Sequence, residues 1–273
     1  MSGQNFKLIH SDAEHAIYSL QNDSVQCVVV NLDLLPVIKE NVPAQQKVKK
    51  IVRIFNILQD KLKSSGTVFL IMNNPYMGVH PSGKVEQVRF CPGQLSGLPW
   101  RVVEALQADG WIWRADIVVN TDLQTSMQCP DRPLRTHSYI FMLSHNEKYF
   151  FNKEFSKQGS FWDFSNPKGK KSNWRFEVAK RCILSATQEG DTVLDFCCGD
   201  GIVGIAALKC GRKFIGADGS IRELEAAYNL LNNIEPDIPL EPVMLDTSSD
   251  NGRRQPQLAL FTENEWGIFY NEG

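Results

Sequence analysis

TVLDF (192–196) is an apolar, β-branched stretch that runs straight into a glycine turn holding Gly199 and Gly201. Helical spacing follows from Ile202 to Lys209, then a second strand-like segment, KFIGAD (213–218). That segment ends on a carboxylate, Asp218, 23 residues after Asp195. Two strands joined by a crossover helix form a parallel βαβ unit. Glycines let a ligand approach the backbone closely. Open α/β sheets bind their ligands at the carboxyl ends of the strands. A carboxylate there can accept hydrogen bonds from both hydroxyls of a ribose. The spacing departs from the G-x-G-x-x-G dinucleotide pattern, so an adenosine-bearing cofactor of another kind is expected. A purely structural βαβ turn is the alternative.

The rest of the chain alternates in the same way. FKLIH (6–10), VQCVVVN (25–31), GTVFLIM (66–72), WIWRADIVV (111–119) and HSYIFMLS (137–144) read as strands. Helical spacing covers Ala13–Leu20, Gln45–Lys63, Pro99–Ala108, Arg175–Thr187 and Ile221–Leu231. Residues 151–172 are expected to be an irregular, basic, aromatic-rich loop, and the last 40 residues are less periodic. This order predicts an α/β fold with a doubly wound, mostly parallel sheet. The chain has 273 residues with no internal repeat and no clean linker, so a single domain over 1–273 is expected.

No apolar run approaches the roughly 18 residues that span a bilayer. The start, MSGQNFKLIHSDAEH, lacks the basic and apolar regions of a secretory signal, and a cytoplasmic location is expected. Seven cysteines without a C-x-x-C pair suit neither a disulfide framework nor a zinc site. Net charge is 29 − 31 = −2. It is uneven: Gln128–Arg181 holds 11 Lys and Arg against 5 Asp and Glu, leaving −8 elsewhere. A local basic surface suits a confined anionic partner, or is simply a solvated face.

VLDFCCGDGIVG (193–204) and GRKFIGAD (211–218) carry a resemblance. So do LPWRVVEALQADGWIWRADIV (98–118), CPDRPLRTHSYIFMLSHNEKYFFN (129–152) and RCILSATQEGDTVLD (181–195). Together they resemble the DNA amino-methyltransferases that modify cytosine N4 or adenine N6, in the β-type order that places the catalytic half before the cofactor half. The resemblance implies the S-adenosylmethionine (SAM)-dependent methyltransferase fold in permuted order. It makes 1–150 the catalytic-half equivalent, 151–172 a short replacement for the target-recognition region, 173–231 the cofactor half and 232–273 a less regular tail. It implies SAM as cofactor, held by Asp195, Phe196, Gly199, Gly201, Asp218 and Asp12. It implies double-stranded DNA as partner, leaves a second protein subunit open, and calls for neither metal nor membrane.

The family's catalytic loop is [DNS]-P-P-[YFW], after the first long strand. A target base is flipped out of the duplex. The first side chain and the backbone carbonyl after it accept hydrogen bonds from the exocyclic amine, and the aromatic ring stacks on the base. The matching residues here are Asn31-Leu32-Asp33-Leu34. Asn31, Asp33 and Leu34 are therefore the catalytic candidates, without the two prolines and the aromatic. Asn73-Asn74-Pro75-Tyr76 nearly spells the motif on a later strand and is a second candidate. Lys153, Lys157, Trp162, Lys168, Lys170 and Lys171 interleave cations with aromatic rings, a pattern suited to phosphates and bases. Asp12 would lie near the cofactor's adenine or simply cap a helix. Three readings stay open: a degenerate methyltransferase that binds without catalysing, an active DNA methyltransferase using Asn31, and one acting on RNA or a small amine.

Overall fold

The protein is described here by a computed structural model. It covers residues 5–39, 42–75, 93–120, 133, 135–165 and 173–234, with the backbone of 268–270. In chain order the elements are β1 (Phe6–His10), α1 (Ala13–Tyr18), β2 (Val25–Asn31), α2 (Pro36–Lys39), α3 (Ala44–Lys61), β3 (Leu62–Met72), α4 (Leu98–Ala108), β4 (Ile112–Asn120), β5 (His137–Ser144), β6 (Phe161–Asp163), α5 (Trp174–Ala186), β7 (Thr192–Asp195), α6 (Ile202–Lys209), β8 (Lys213–Asp218), α7 (Ile221–Asn232) and β9 (Ile268–Tyr270).

The strands form one sheet in the order β6-β4-β5-β3-β2-β7-β8-β1-β9. Among the described strands only β5 runs against its neighbours, β3 and β4. The sheet is doubly wound, as the alternation of elements predicts. The reason is legible in β2, whose residues alternate between two cores. Val28 and Val30 face the layer built by α1, α3 and α4, while Cys27 and Val29 face the layer of α5, α6 and α7. A strand buried on both faces must be apolar throughout, and VQCVVVN nearly is.

The permuted chain order has a direct geometric consequence. Strand β7 pairs with β2 on one side and β8 on the other, although residues 32–191 separate it from β2. From β2 the chain steps outward to β3; from β7 it steps outward the opposite way to β8. The winding direction therefore switches between β2 and β7, and such a switch opens a crevice at the carboxyl edge.

Two expectations need correction. Strand β3 starts at Leu62, not Gly66, because Val25 pairs with Leu62 before a bulge shifts the register to Cys27 and Thr67. Gly66 lies inside that bulge, where an added Cβ would clash with the Leu62 side chain. The supposedly irregular stretch 151–172 contributes strand β6, which pairs in parallel with β4. The tail contributes β9, paired with β1.

Strand β6 also sorts the aromatic residues. Phe161 is 62% exposed, whereas Trp162 is 7% exposed and belongs to the core. The Trp162 indole N–H donates to the Gly159 carbonyl at 3.1 Å, and the Arg181 guanidinium lies 4.7 Å from its ring. No face of this ring is open for a base to stack on. Trp162→Phe is expected to cost about 1–2 kcal/mol of stability, from the lost ring volume and hydrogen bond. Denaturant unfolding measures it; an unchanged midpoint would contradict the packing.

Candidate cofactor and catalytic site

Parallel strands β2, β7, β8 and β1 are adjacent and end at the same edge. Their carboxyl ends surround a cavity of about 630 Å³. That lies within the range of small-molecule and cofactor sites, roughly 300–1,000 Å³. Asp12 comes from the end of β1, Leu34 from the turn after β2, Phe196 and Gly199 from the turn after β7, and Asp218 from the end of β8. Four chain segments far apart in sequence thus deliver five of the candidate residues to one space.

The turn after β7 is shaped by its glycines. Gly199 has φ +48 and Gly201 has φ +76, both left-handed conformations that disfavour a side chain. A Cβ on Gly199 would point toward Leu34 at 3.7 Å, into the cavity. A Cβ on Gly201 would lie 2.9 Å from the Ala227 Cβ, so this glycine lets α6 and α7 approach. Gly201 therefore shapes the turn from behind and does not line the cavity.

The Asp218 carboxylate organises the same turn. One oxygen accepts from the Gly199 N–H at 3.0 Å and the other from the Ser220 N–H at 2.9 Å. A carboxylate has about four acceptor positions, so roughly two remain for a ligand facing the cavity. An acceptor of this kind fits a vicinal diol. Asp12 caps α1 and faces the same cavity, its side chain accepting from the His15 N–H at 2.9 Å.

Asp195 departs from the expected role. It is 3% exposed, is absent from the cavity wall, and accepts from the Cys197 N–H at 3.1 Å. It braces the turn from below. Burial pushes its carboxyl up to about 7, opposed by the Cys197 N–H and reinforced by the charge of Asp218. A folded-state value above the unfolded one stabilises the fold fully at low pH. That stabilisation is lost as pH rises from about 4 through 7. Asp195→Asn keeps an acceptor for Cys197 without the charge. The variant is expected to exceed the unmodified protein in stability by about 2–4 kcal/mol at pH 8, with the advantage gone by pH 4. Paired unfolding curves at the two pH values measure this, and a pH-independent difference would contradict it.

Phe196 lines the cavity with one edge and packs its ring against Phe55, centroids 6.2 Å apart, with the other. The cavity also holds residues that the sequence did not single out for the cofactor. Arg175, at the start of α5, grips Asp200 of the glycine turn through two hydrogen bonds of 2.8 and 3.0 Å. A partner 25 residues away leaves no local signal of this pairing in the sequence around Asp200. Glu223 and Lys39 complete the charged wall.

The catalytic candidates cluster beside this cavity. Asn31 ends β2 and caps a 3₁₀ turn, Leu32–Leu34, with its Oδ1 accepting from the Asp33 N–H at 3.1 Å. Leu34 is 36% exposed and faces the cavity. Asp33 turns the other way. Its carboxylate accepts from the Asn73 backbone N–H at 3.0 Å and the Asn73 side chain at 2.6 Å. Burial pushes the Asp33 carboxyl up, against the pull of these bonds. The two candidate loops are therefore neighbours in space, because β2 and β3 pair in parallel register up to Asn31 and Ile71. Asn73 Oδ1 accepts from the Ser138 hydroxyl at 2.8 Å, and Asn74 Oδ1 accepts from the Gly97 N–H at 2.9 Å. Both asparagines serve the scaffold. Tyr76 lies outside the described residues.

The basic candidates divide. Lys153 and Lys157 are exposed. The Asn152 N–H donates to the Ser185 carbonyl at the far end of α5, which places this stretch toward the amino edge of the sheet, away from the cavity. Trp162 is in the core, as described. Lys168, Lys170 and Lys171 lie outside the described residues. No helix among the described residues is long and apolar enough to cross a membrane, and no group of three or more His, Cys, Asp and Glu there could hold a metal ion.

Comparison with known proteins gives a consistent result. The family model described as "DNA methylase" for N6 and N4 enzymes matches residues 37–229. The type II methyltransferase M.Cfr9I of Citrobacter freundii is 26% identical over 267 residues, covering 85% of this chain and 89% of that protein. Among solved structures, the cytosine-N4-specific PvuII DNA methyltransferase superposes with a TM-score of 0.67 at 14% identity, covering 87% of this chain and 91% of that one. The M1.HpyAVI–SAM complex superposes with a TM-score of 0.58 at 16% identity, covering 83% and 100%.

Proposed function

We propose that this chain, which belongs to the N6/N4 DNA methylase family, binds SAM in the carboxyl-edge cavity and double-stranded DNA across the same edge, with a catalytic loop too altered for the family's usual rate. The observation that carries the cofactor part is the convergence of Asp12, Leu34, Gly199 and Asp218 on one cavity of cofactor size. Asp218 would accept from the ribose hydroxyls, and Gly199 would let the cofactor lie against the turn. When bound, SAM supplies an electrophilic methyl group on a cationic sulfur. The cavity wall carries Asp12, Asp200, Asp218 and Glu223 against Lys39 and Arg175, an acidic balance that favours a cation.

The altered loop carries the second part. Asn31 can accept a hydrogen bond from an exocyclic amine, but Leu34 replaces the aromatic ring. Stacking a base on an aromatic contributes roughly 1–3 kcal/mol, which Leu34 cannot supply. Transfer to an amine leaves a cationic nitrogen that sheds its proton readily, so no strong base is required. Lys153 and Lys157, if they touch phosphates, do so far from the cavity. The protein is read as acting in the cytoplasm.

Expression in a host without DNA methylases tests this. Host DNA is digested to nucleosides, and N6-methyladenine and N4-methylcytosine are quantified by mass spectrometry. Neither is expected above the empty-vector level, while the purified protein retains duplex DNA in a salt-dependent manner. A modified base that is lost in Asn31→Ala would overturn the degenerate reading and name the target.

A further inference from the structure

We infer that the loop after β2 is closed upon itself: its own N–H groups engage both oxygens that would receive a base's exocyclic amine, and the Asp33 N–H, which a proline could not supply, keeps it closed. This rests on the proposed identity of Asn31–Leu34 as the altered catalytic loop. The two acceptors implied by the family's mechanism are the first side chain and the next carbonyl. Here these are Asn31 Oδ1 and the Leu32 carbonyl. Asn31 Oδ1 accepts from the Asp33 N–H at 3.1 Å. The Leu32 carbonyl accepts from the Leu35 N–H at 3.0 Å. Each oxygen has a second acceptor position, so an incoming amine would have to share both with these N–H groups or displace them.

The closure depends on position 33 not being proline. Proline has no N–H to donate, so a proline there could not engage the preceding side chain. Proline also disfavours helical backbone in the residue before it, which would unwind Leu32 from the 3₁₀ turn and release its carbonyl. Asp33 supplies the missing donor and adds an anchor. Its carboxylate holds Asn73, which in turn accepts from Ser138 on β5. Leu32 and Leu35 are buried on either side of the turn, at 0% and 4% exposure. The turn is thus tied to β3 and β5 by hydrogen bonds and to the core by two leucines.

Backbone amide exchange, followed by NMR, tests the closure whether or not any ligand binds. The Asp33 amide is expected to exchange about two- to tenfold more slowly in the unmodified protein than in Asn31→Ala, the worth of one net hydrogen bond. The Leu35 amide is expected to lose its protection in Asp33→Pro. Equal exchange of the Asp33 amide in the unmodified protein and Asn31→Ala would overturn the inference. On the functional side, Asp33→Pro is expected to lift the yield of methylated base above the empty-vector level in the methylase-free host. Asp33→Ala keeps the N–H and is expected not to. An Asp33→Pro protein that binds SAM and duplex DNA yet gives no product would also overturn the inference. An unmodified protein that binds neither, while the exchange result holds, would instead count against the proposed function.

Discussion

Gly201→Val is expected to abolish binding in the carboxyl-edge cavity and to lower stability by about 2–5 kcal/mol. Two effects add. Position 201 has φ +76, a left-handed conformation that costs an ordinary residue roughly 1–2 kcal/mol. A Cβ there would meet the Ala227 Cβ at 2.9 Å and its Cα at 3.3 Å, and Ala227 is fully buried in α7. Overpacking of this kind costs about 1–3 kcal/mol and moves backbone. The backbone that would move is the start of α6, where Gly201 accepts from the Ile205 N–H at 2.9 Å and donates to Cys198 at 2.9 Å. Gly199→Ala is the informative contrast. Its Cβ would find Leu34 at an ordinary 3.7 Å, so only the conformational cost of about 1–2 kcal/mol applies. Chemical unfolding of both variants measures the difference, and equal losses would contradict the role given to Ala227.

Asp218→Ala is expected to weaken SAM binding about 100-fold or more. The Asp218 carboxylate would give up two charge-assisted hydrogen bonds to ribose, each contributing about 1.5–3 kcal/mol. A total near 3 kcal/mol corresponds to roughly 100-fold in affinity. The substitution also strands the Gly199 and Ser220 N–H groups, loosening the turn and the entry to α7. Asp218→Asn separates these effects only in part, since its amide group would place a donor against one of those N–H groups. Isothermal titration of SAM reads the loss, with circular dichroism confirming that the variant is folded. Affinity unchanged in a folded Asp218→Ala would remove this residue from the site.

Much of the fold is legible in the sequence, for a local reason. Buried strands must be apolar over their whole length, so VQCVVVN and TVLDF announce themselves. Gly199 and Gly201 do so as well, since a left-handed turn at the mouth of a helix tolerates little else. What the sequence does not show depends on partners far along the chain. Nothing local in Asp33 points to Asn73, or in Asp200 to Arg175; the first pairing exists because β2 and β3 end side by side, the second because α5 packs against α6 beyond the glycine turn. Trp162 misleads for a different reason. In a strand of three residues, alternation is too short to reveal which of Phe161 and Trp162 faces the core. Asp195 resembles a ligand-binding carboxylate by position, yet it lies beneath the turn, because the strand delivers its side chain to the core side of the first bend.

Titration of SAM into the unmodified protein by calorimetry tests the central claim most directly. The expected result is saturable binding of one SAM per chain, accompanied by a rise in melting temperature as the folded state is stabilised by its ligand. Neither heat nor a thermal shift at millimolar SAM would contradict the assignment of the carboxyl-edge cavity as a cofactor site.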